Sequence, residues 1–391
     1  MTFKVKTKGQ IEGEKLLVPK LRFKEFKDKY MITNINNIAV ITMGQSPNSV
    51  NYTSDRNDII LIQGNADLNN GKIKPRLYTT ETTKMCEIND IIMTVRAPVG
   101  DLAITEYKAC IGRGVCSIKG SKYLYYYLEN FKYKGEWKKL SKGSTIDSIT
   151  SNDLKNINVT LPDETEQEKI ANFLSLLDKK IDLQNKRIEA LKIYKKGLMQ
   201  KLINSNNCEE KSISEFGTII TGTTPSRLNQ SYWHNGTIVW VTPSDITESK
   251  DIYNSHDMLT LDGLKAGRFV PAGSILITCI ASIGKNAVLK VDGSCNQQIN
   301  AIIPNKNFNA DYLYYLFELK KDYLQSTAGT SATSIINKTS FEKLVFKIPN
   351  IEQQNEYSKI LNCLELKIET EKHKFKKLSL LKKSLLQQMF I

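Results

Sequence analysis

The chain has 391 residues, a formal net charge of +14 and a hydrophobic content of 40%, which fits a globular protein large enough for two ordinary domains. No apolar run approaches the roughly 20 residues that span a bilayer, so no membrane-spanning segment is expected. The excess of positive charge favours a polyanionic partner, nucleic acid first and an anionic membrane surface second, with a merely lysine-rich surface as the alternative. Of the two partners, nucleic acid is expected and a membrane is not.

The sequence lacks the motifs of several classes of enzyme. The three histidines, His234, His256 and His373, are far apart, so neither a histidine metal site nor a catalytic triad is expected. There is no GxxxxGK[ST] phosphate loop and no Asn-Pro-Pro-aromatic or Asp-Pro-Pro-aromatic tetrapeptide. The seven cysteines are odd in number and scattered, which indicates a reducing compartment. The sequence predicts a binding protein with no catalytic residue, metal or cofactor of its own.

The first part of the chain is predicted to be β-rich. Residues 1–30 form a leader and the start of a first repeat, and residues 31–162 form a first domain. The runs DIILIQG (58–64) and DIIMTV (90–95) predict strands. A glycine turn at Gly100, a short aromatic helix and a Ser/Thr-rich loop follow before the domain ends.

Residues 163–203 predict a single long helix. Its apolar residues recur at alternating steps of four and three, which is a heptad seam. A helix of roughly 35 to 40 residues is about 55 Å long and must cover its seam with another element. The seam consists of Ile170, Leu174, Leu177, Ile181, Ile188, Leu191 and Leu198, interrupted by the polar residues Gln184 and Lys195.

After a polar joint at 204–211, the second half repeats the order of the first. Residues 212–349 form a second β-rich domain, and a second long helix occupies 350–391. The correspondence covers the loops, the strands, the glycine turn and the aromatic helix. The matching segments are ITMGQSP (41–47) with IITGTTP (219–225), DIIMTVRAPVGDLAI (90–104) with SILITCIASIGKNAV (274–288), YLYYYLENFK (123–132) with YLYYLFELKK (312–321), and KGSTIDSIT (142–150) with GTSATSIIN (329–337).

The second long helix repeats the first seam, including its defects. Every seam position lies 187 residues after its counterpart, and Glu371 and Lys382 interrupt the pattern where Gln184 and Lys195 do. Polar residues at seam positions cost stability but fix the register of a helix pair. Shared defects predict that the two seams cover each other within one chain. The alternatives are that each helix packs on its own domain or that the seams form an intermolecular dimer. The second seam consists of Tyr357, Leu361, Leu364, Ile368, Phe375, Leu378 and Leu385.

The loops at 44–56 and 222–236 are rich in side chains that donate to phosphates and read base edges. The two loop sequences differ from each other, whereas the two long helices match. This is what a protein that recognises two unlike targets with one scaffold would require. For any single residue, a solvated loop side chain is the alternative. The candidate DNA-binding residues are Gln45, Ser46, Asn48, Arg56, Arg76, Arg96, Arg113, Lys142, Ser144, Thr145, Thr223, Thr224, Ser226, Arg227, Lys285, Gln297, Thr330, Ser331 and Thr333.

With these features the chain resembles the specificity subunits of type I restriction-modification systems over nearly its whole length. The resemblance rests on PKLRFKEF (19–26), on the Gly-x-x-Pro loops, on a Pro followed by Glu-Gln before each long helix, and on the helix ends KKGLMQKLI (195–203) and KKSLLQQMF (382–390). The junction residues are Pro162, Glu166 and Gln167 in the first copy and Pro349, Glu352 and Gln353 in the second, with one-residue gaps near Gly143 and Glu166.

The resemblance implies an α+β fold with two β-rich target recognition domains in tandem pseudo-repeat, separated by two long helices that pair as an antiparallel coiled coil. Each domain would read one half of a bipartite site in double-stranded DNA. The helix pair would set the spacer and dock two methyltransferase subunits, and restriction subunits would complete an ATP-dependent nuclease. S-adenosylmethionine, ATP and Mg are therefore expected on partner subunits, and the chain is expected in a bacterial cytoplasm.

Two other interpretations remain open at the level of sequence. The chain could be a coiled-coil assembly adaptor with two protein-binding domains and no direct role on DNA. It could also be a stand-alone enzyme with a site in the glycine turns around Gly100 or Gly284. Binding of duplex DNA by the purified chain would distinguish DNA recognition from the assembly adaptor. Enzymatic activity of the chain without any partner would support the stand-alone enzyme.

Overall fold

The computed structural model describes residues 3–5, 18–140, 148–204, 208–328 and 335–391. The chain divides into two compact units. The first unit takes the described residues up to Asn185 together with His373–Ile391, and the second takes Lys186–Lys372. Each unit therefore contains one β-rich domain and one section of each long helix.

The first half of the chain carries a β-rich domain followed by a long helix. Its strands are β1 (Phe3–Val5), β2 (Leu21–Phe23), β3 (Met31–Asn34), β4 (Val40–Met43), β5 (Tyr52–Thr53), β6 (Ile59–Ile62), β7 (Leu68–Asn69), β8 (Lys72–Ile73), β9 (Tyr78–Thr79), β10 (Met85–Cys86), β11 (Ile91–Thr94), β12 (Leu102–Ile104), β13 (Ala109–Ile111), β14 (Val115–Lys119) and β15 (Asn158–Leu161). Its helices are α1 (Lys122–Tyr133), α2 (Glu136–Leu140), α3 (Ser151–Lys155) and α4 (Glu164–Ile203).

Two sheets form the first domain. One is antiparallel, with the strand order β12-β11-β14-β4. The other has the order β10-β13-β6-β9-β5, and in it β13 runs parallel to β6. Three two-stranded pairs, β1-β2, β3-β15 and β7-β8, complete the domain.

The second half repeats this plan. Its strands are β16 (Glu209–Ser212), β17 (Gly217–Thr221), β18 (Ile238–Val241), β19 (Asp251–Ile252), β20 (Met258–Leu259), β21 (Ile275–Thr278), β22 (Asn286–Leu289), β23 (Gly293–Cys295), β24 (Ile299–Pro304) and β25 (Val345–Ile348). Its helices are α5 (Ile213–Phe216), α6 (Leu261–Ala266), α7 (Ala310–Leu319), α8 (Lys321–Ser326), α9 (Lys338–Glu342) and α10 (Ile351–Met389).

Equivalent strands take equivalent places in the second domain. The order β22-β21-β24-β17 repeats β12-β11-β14-β4, with β19 added beside β22. Strand β23 is parallel to β18, as β13 is to β6, and β16 pairs with β25 as β3 pairs with β15. The strands predicted from DIILIQG and DIIMTV are therefore confirmed as β6 and β11, and their counterparts in the second domain are β18 and β21.

The predicted glycine turns follow β11 and β21. Gly100 and Gly284 have φ angles of +87° and +82°, in the left-handed region that glycine adopts without steric cost. The strand-ending threonine fixes each turn, because the backbone N–H of Asp101 donates to Thr94 Oγ1 over 2.8 Å and that of Lys285 donates to Thr278 Oγ1 over 3.0 Å. The turns are thus structural features of two equivalent hairpins.

The predicted short aromatic helices are α1 and α7, and both are buried against the β-rich domain. In α1 the hydroxyl of Tyr123 donates to the carbonyl of Thr160 over 2.9 Å, and that of Tyr127 donates to Asn158 over 2.9 Å. Burying tyrosines with a satisfied hydroxyl lets the helix contribute large apolar area without an orphaned donor. Helix α1 thereby holds the last strand before α4.

Both long helices begin at equivalent residues. Asp163 and Asn350 cap them, since Oδ1 accepts from the backbone N–H of Glu166 and of Gln353 over 2.9 Å in each case. Gln167 donates to the carbonyl of Pro162, and Gln354 to that of Pro349, over 2.9 Å each. The equivalent of Gln167 is therefore Gln354, 187 residues later, and not Gln353. The gap that the sequence comparison placed near Glu166 is wrong.

The PKLRFKEF segment is fixed to the start of α4. The Arg22 guanidinium donates from Nε and Nη2 to the two carboxylate oxygens of Glu166 over 2.9 and 2.7 Å, and the Tyr30 hydroxyl donates to Oε1 over 3.0 Å. Glu166 is fully buried. This bidentate pair holds the segment before the first domain to the start of α4.

The two seams cover each other as predicted, and the pairing is antiparallel within each unit. In the first unit, Leu177 near the start of α4 shares a core with Leu385 near the end of α10. In the second, Leu198 near the end of α4 packs against the core that contains Leu361, near the start of α10. All fourteen predicted seam residues are buried or partly buried. Among the described helices, none is both long and apolar enough to cross a membrane.

The polar interruptions of the seam have specific partners. Lys382 Nζ lies 2.7 Å from Glu129 and 2.6 Å from Asp178, and 5.4 Å above the ring of Tyr126. Burial lowers the pKa of this ammonium, but the two carboxylates outweigh it and raise the pKa. The cluster joins α10 to α4 and to α1.

The equivalent lysine makes the equivalent contacts in the second unit. Lys195 forms an ion pair with Glu365, the counterpart of Asp178, and lies 5.3 Å above the ring of Tyr315, the counterpart of Tyr126. The interruptions are therefore not only register marks on the helix pair. Each ties the pair to the aromatic helix of one domain.

Candidate nucleic-acid interface

Each Gly-x-x-Pro loop leaves its sheet through the same hydrogen bonds. The Gly44 N–H donates to the carbonyl of Val115 over 3.0 Å, and the Gly222 N–H donates to that of Ile299 over 2.9 Å. A Cβ at Gly44 would lie 2.1 Å from the carbonyl oxygen of Gly112, so glycine is required by close backbone approach. Gly222 has the same constraint, with 2.1 Å to a backbone carbonyl oxygen.

A tight turn before β14 faces the first loop. The Gly112 N–H donates to the carbonyl of Ile62 over 2.8 Å, and Val95 donates to that of Gly114 over 2.9 Å. Arg113, between the two glycines, is exposed, and its backbone N–H donates to Ser46 Oγ over 3.1 Å. The turn therefore places an arginine beside the Gly-x-x-Pro loop.

The turn before β24 faces the second loop in the same way. The Asn296 N–H donates to the carbonyl of Val241 over 2.9 Å, and Cys279 donates to that of Gln298 over 2.8 Å. Gln297 therefore stands where Arg113 stands in the first domain. Thr224, the counterpart of Ser46, donates its hydroxyl to Gln297 Oε1.

These elements enclose an open recess of about 250 Å³ in the first domain. We call it the first recess, and its polar side chains are Ser46, Gln63, Asn65, Arg96 and Arg113. Both arginines are exposed, and among the described residues no carboxylate lies within ion-pair distance of either. Two guanidinium groups at one concavity can donate hydrogen bonds to an electronegative ligand.

The amide at the back of the first recess has a fixed orientation. Gln63 Nε2 donates to the Tyr52 hydroxyl over 2.7 Å, and Ser46 Oγ lies 3.4 Å from Gln63 Oε1. The backbone N–H of Gln63 donates to Asp67 Oδ2 over 2.8 Å. These contacts fix the floor of the recess, whereas the guanidinium groups of Arg96 and Arg113 have no partner among the described residues.

The Arg76 side chain forms an ion pair outside the first recess. Its Nε lies 2.9 Å from Oδ1 of Asp67, which is buried and also accepts from the backbone N–H of Gly64 over 3.1 Å. The guanidinium balances a buried carboxylate that shapes the loop after β6. Arg76 therefore supports the first recess rather than lining it.

In the second domain the loop arginine is also engaged. The Arg227 guanidinium lies 3.7 Å from the ring centroid of Trp233 and 4.8 Å from that of Trp240. Its Nη2 lies 2.5 Å from Asp257 Oδ2, and this pairing holds the pKa of the Asp257 carboxyl below its usual value. We call these four residues the Arg227 cage. It fixes the loop at 222–236 and leaves little of the arginine's charge unpaired.

The remaining candidates are placed as follows. Arg56 is exposed, and no carboxylate among the described residues pairs with it, whereas the side-chain oxygen of Asn48 accepts from the backbone of Val50 over 3.2 Å. Thr223 and Ser226 accept through their carbonyls from Trp240 and Trp233 over 3.0 Å each. Gln45 is exposed and accepts through its carbonyl from Thr83, and Lys285 is half-buried after β21. The candidates Lys142, Ser144, Thr145, Thr330, Ser331 and Thr333 lie outside the described residues.

Sequence reasoning missed Gln63 and Asn65, which line the first recess, and Asp67, which accepts from the backbone of Gln63 and Gly64. It also missed Trp233 and Asp257 as the partners of Arg227. A usable signal existed for Gln63, because it precedes the glycine that ends the predicted run DIILIQG (58–64), where the strand must pass into a loop. Asp257 lies 30 residues from Arg227, and no local pattern links them.

The fold and site define a class: a tandem two-domain binding protein in which one frame presents two different surfaces. A family model described as Type I restriction modification DNA specificity domain matches the chain twice, over residues 27–192 and 205–380. These matches span most of the sequence, and the chain belongs to this family.

Individual proteins agree with this assignment. A Methanocaldococcus jannaschii protein named the MjaX specificity subunit is 35% identical over 211 residues, 52% of this chain and 49% of that protein. The EcoR124I/EcoR124II specificity subunit of Escherichia coli is 26% identical over 265 residues, 62% of each chain. The chain thus spans about half to three fifths of these relatives.

A solved structure shares the fold. The S subunit of a type I restriction-modification system from M. genitalium superposes with a TM-score of 0.62 at 16% sequence identity, covering 96% of this chain and 99% of that one. At this identity the likeness concerns the fold alone.

Proposed function

We propose that the chain is the DNA-reading subunit of a type I restriction-modification complex, and that each β-rich domain recognises one half of a bipartite site in double-stranded DNA. One observation carries the proposal. The two domains repeat the backbone frame around the Gly-x-x-Pro loop hydrogen bond by hydrogen bond, while the side chains on that frame differ. One frame with two surfaces is what two unlike half-sites require.

Charge supports DNA as the ligand. The chain carries a net charge of +14, and Arg96 and Arg113 stand at an exposed recess without carboxylate partners among the described residues. Phosphate contacts from such groups release counterions and make binding depend steeply on salt. The same basic surface would be of no evident use to an adaptor that binds only proteins.

The long helices have two roles in this proposal. Their seam would hold the two reading domains at a fixed separation, and their outer faces would dock two methyltransferase subunits. Those subunits would bind S-adenosylmethionine and methylate the site, and restriction subunits would use ATP and Mg to cleave unmodified DNA. In this proposal the present chain supplies the recognition of the DNA sequence and no catalytic group.

The first experiment tests recognition itself. The full chain, co-purified with the modification subunits of the same system, is used to select duplexes from a randomised library at moderate and high salt. We expect one enriched motif in two parts with a constant gap, and affinity for it that falls steeply with salt. Selection of no motif, by a complex that is folded by circular dichroism, would contradict the proposal and support the adaptor.

The second experiment tests the role of the helices. One heptad is added to each long helix, after Asn185 in α4 and after Lys372 in α10, where the helices pass between the compact units. Seven residues add about 10 Å, which corresponds to about three base pairs of B-DNA. We expect both half-sites unchanged and a longer gap. A gap of the original length would show that the helices do not set the spacing.

A further inference from the structure

We infer that position 96 with position 113 in the first domain, and position 280 with position 297 in the second, determine which bases the two half-sites contain. The first pair selects a guanine and the second pair selects an A·T base pair. The inference rests on the proposed function and extends it to the chemistry of the recognised bases.

The two pairs of positions are equivalent in the backbone. Arg96 forms an isolated antiparallel bridge with Ser148, and Ile280 forms the corresponding bridge with Ile335. The residues before them, Val95 and Cys279, make the equivalent bonds to the turns that carry positions 113 and 297. Each half of the chain therefore presents two side chains from the same two backbone sites.

The first recess offers only donors at these sites. Arg96 and Arg113 are exposed, and their guanidinium groups make no hydrogen bond or ion pair within the described part of the chain. In the major groove guanine presents two acceptors, O6 and N7, and a bidentate arginine is the commonest specific partner for that edge. Cytosine and adenine present an amino donor there, which a guanidinium cannot accept.

The second domain offers a different chemistry at the same sites. Gln297 Oε1 accepts from the Thr224 hydroxyl, which orients the amide and leaves Nε2 and one Oε1 lone pair available. That arrangement matches adenine, whose N7 accepts and whose N6 donates. Ile280, half-buried beside it, is apolar and suits the thymine methyl group. An A·T pair satisfies both residues together.

The test uses the full chain with its modification subunits and the randomised duplex library described above. The variant R96Q/R113Q should lose discrimination for guanine at one position of one half-site by about tenfold to a hundredfold, while the other half-site is unchanged. The control R56Q removes an arginine of the same domain that lies outside the recess. Since Arg56 does not line the recess, this variant should keep the preference for guanine at the position that R96Q/R113Q alters.

The outcomes are distinguishable from failure of the proposed function. If the wild type selects no split motif, the proposed function itself fails. If the wild type selects a split motif and R96Q/R113Q lowers affinity uniformly with no base position altered, the arginines contact only phosphates and the inference is overturned. Melting curves of both variants verify that an altered motif does not come from unfolding.

Discussion

The first recess and the equivalent region of the second domain share a backbone arrangement but present different side chains on it. In the first domain Arg96 and Arg113 are unpaired within the described residues, whereas the second domain has Ile280 and Gln297 at these positions and confines its loop arginine, Arg227, in a cage with Asp257. The difference teaches that frame and readout are separable. The glycines and strand order hold the loops, and exposed side chains can change without disturbing them.

The long helices allow a second comparison, because equivalent seam positions make ion pairs that differ between the two units. Lys382 and Lys195 occupy equivalent seam positions and contact equivalent tyrosines. They differ in the number of carboxylates paired with the lysine, since Lys382 has Glu129 and Asp178 and Lys195 has Glu365. The following substitutions would break or sharpen these parallels.

The largest effect is expected for K382M. Removing a buried ammonium leaves two carboxylates uncompensated, one of which, Glu129, already has a pKa raised by burial. We expect a loss of about 3 to 5 kcal/mol in unfolding free energy, and a smaller loss for K195M because its pair is more exposed and has one carboxylate. Chemical denaturation of both variants measures the difference. Equal losses would show that the second carboxylate is irrelevant.

Truncating the seam at L174A and L361A should have nearly equal effects in the two units. Both leucines are fully buried at equivalent positions, so each variant should lose roughly 2 to 5 kcal/mol. The matched controls L183A and L366A remove exposed leucines of the same helices and should change stability little. Denaturation curves in which only one of the buried positions matters would contradict equivalent packing.

The frame itself is tested by G44A and G222A. A methyl group at either position would approach a backbone carbonyl oxygen to 2.1 Å, so both loops must shift, at a cost of roughly 1 to 3 kcal/mol. G64A is the control, because no atom lies within 4 Å of its added Cβ. Thermal melting should show two destabilised variants and an unaffected control. Tolerance at one of the two glycines would refute the shared frame.

The smallest effect is a pH dependence confined to the second domain. The pKa of Asp257 is held below its usual 3.8 chiefly by its hydrogen bond with Arg227, so its contribution to stability is present above that value and is lost as the pH falls through the lowered pKa. Because both groups are partly exposed, the contribution is about 1 kcal/mol or less. The difference in unfolding free energy between the wild type and R227Q should shrink below pH 3.8 to the pH-independent part that comes from the contacts of Arg227 with Trp233 and Trp240. A constant difference from pH 6 to pH 2 would exclude the ion pair as its source.

Much of the fold could be predicted because the two halves of the sequence repeat the same features. The seam, its polar interruptions, the aromatic helices and the glycine turns recur in order, and each is confirmed in the structure. What lay beyond prediction was the identity of distant partners. Lys382 was expected as a mark of register, yet its partner Glu129 lies 253 residues earlier, and only tertiary packing brings them together.

The candidate site was less predictable for a related reason. Counting Arg, Ser and Thr in loops selected Arg76 together with Arg96, although one balances a buried carboxylate and the other is unpaired within the described residues. Charge alone cannot separate these cases, because the deciding group, Asp67, approaches Arg76 only when the strands assemble. Whether the candidates touch DNA remains a prediction.

The most direct test of two readers on one frame is to convert the second into a copy of the first. The variant I280R/Q297R, in the full chain with its modification subunits, is used in the randomised duplex selection. We predict that a guanine enters the half-site read by the second domain, while the other half-site and the gap stay as in the wild type. An unchanged motif from a folded complex that still binds DNA would contradict the account.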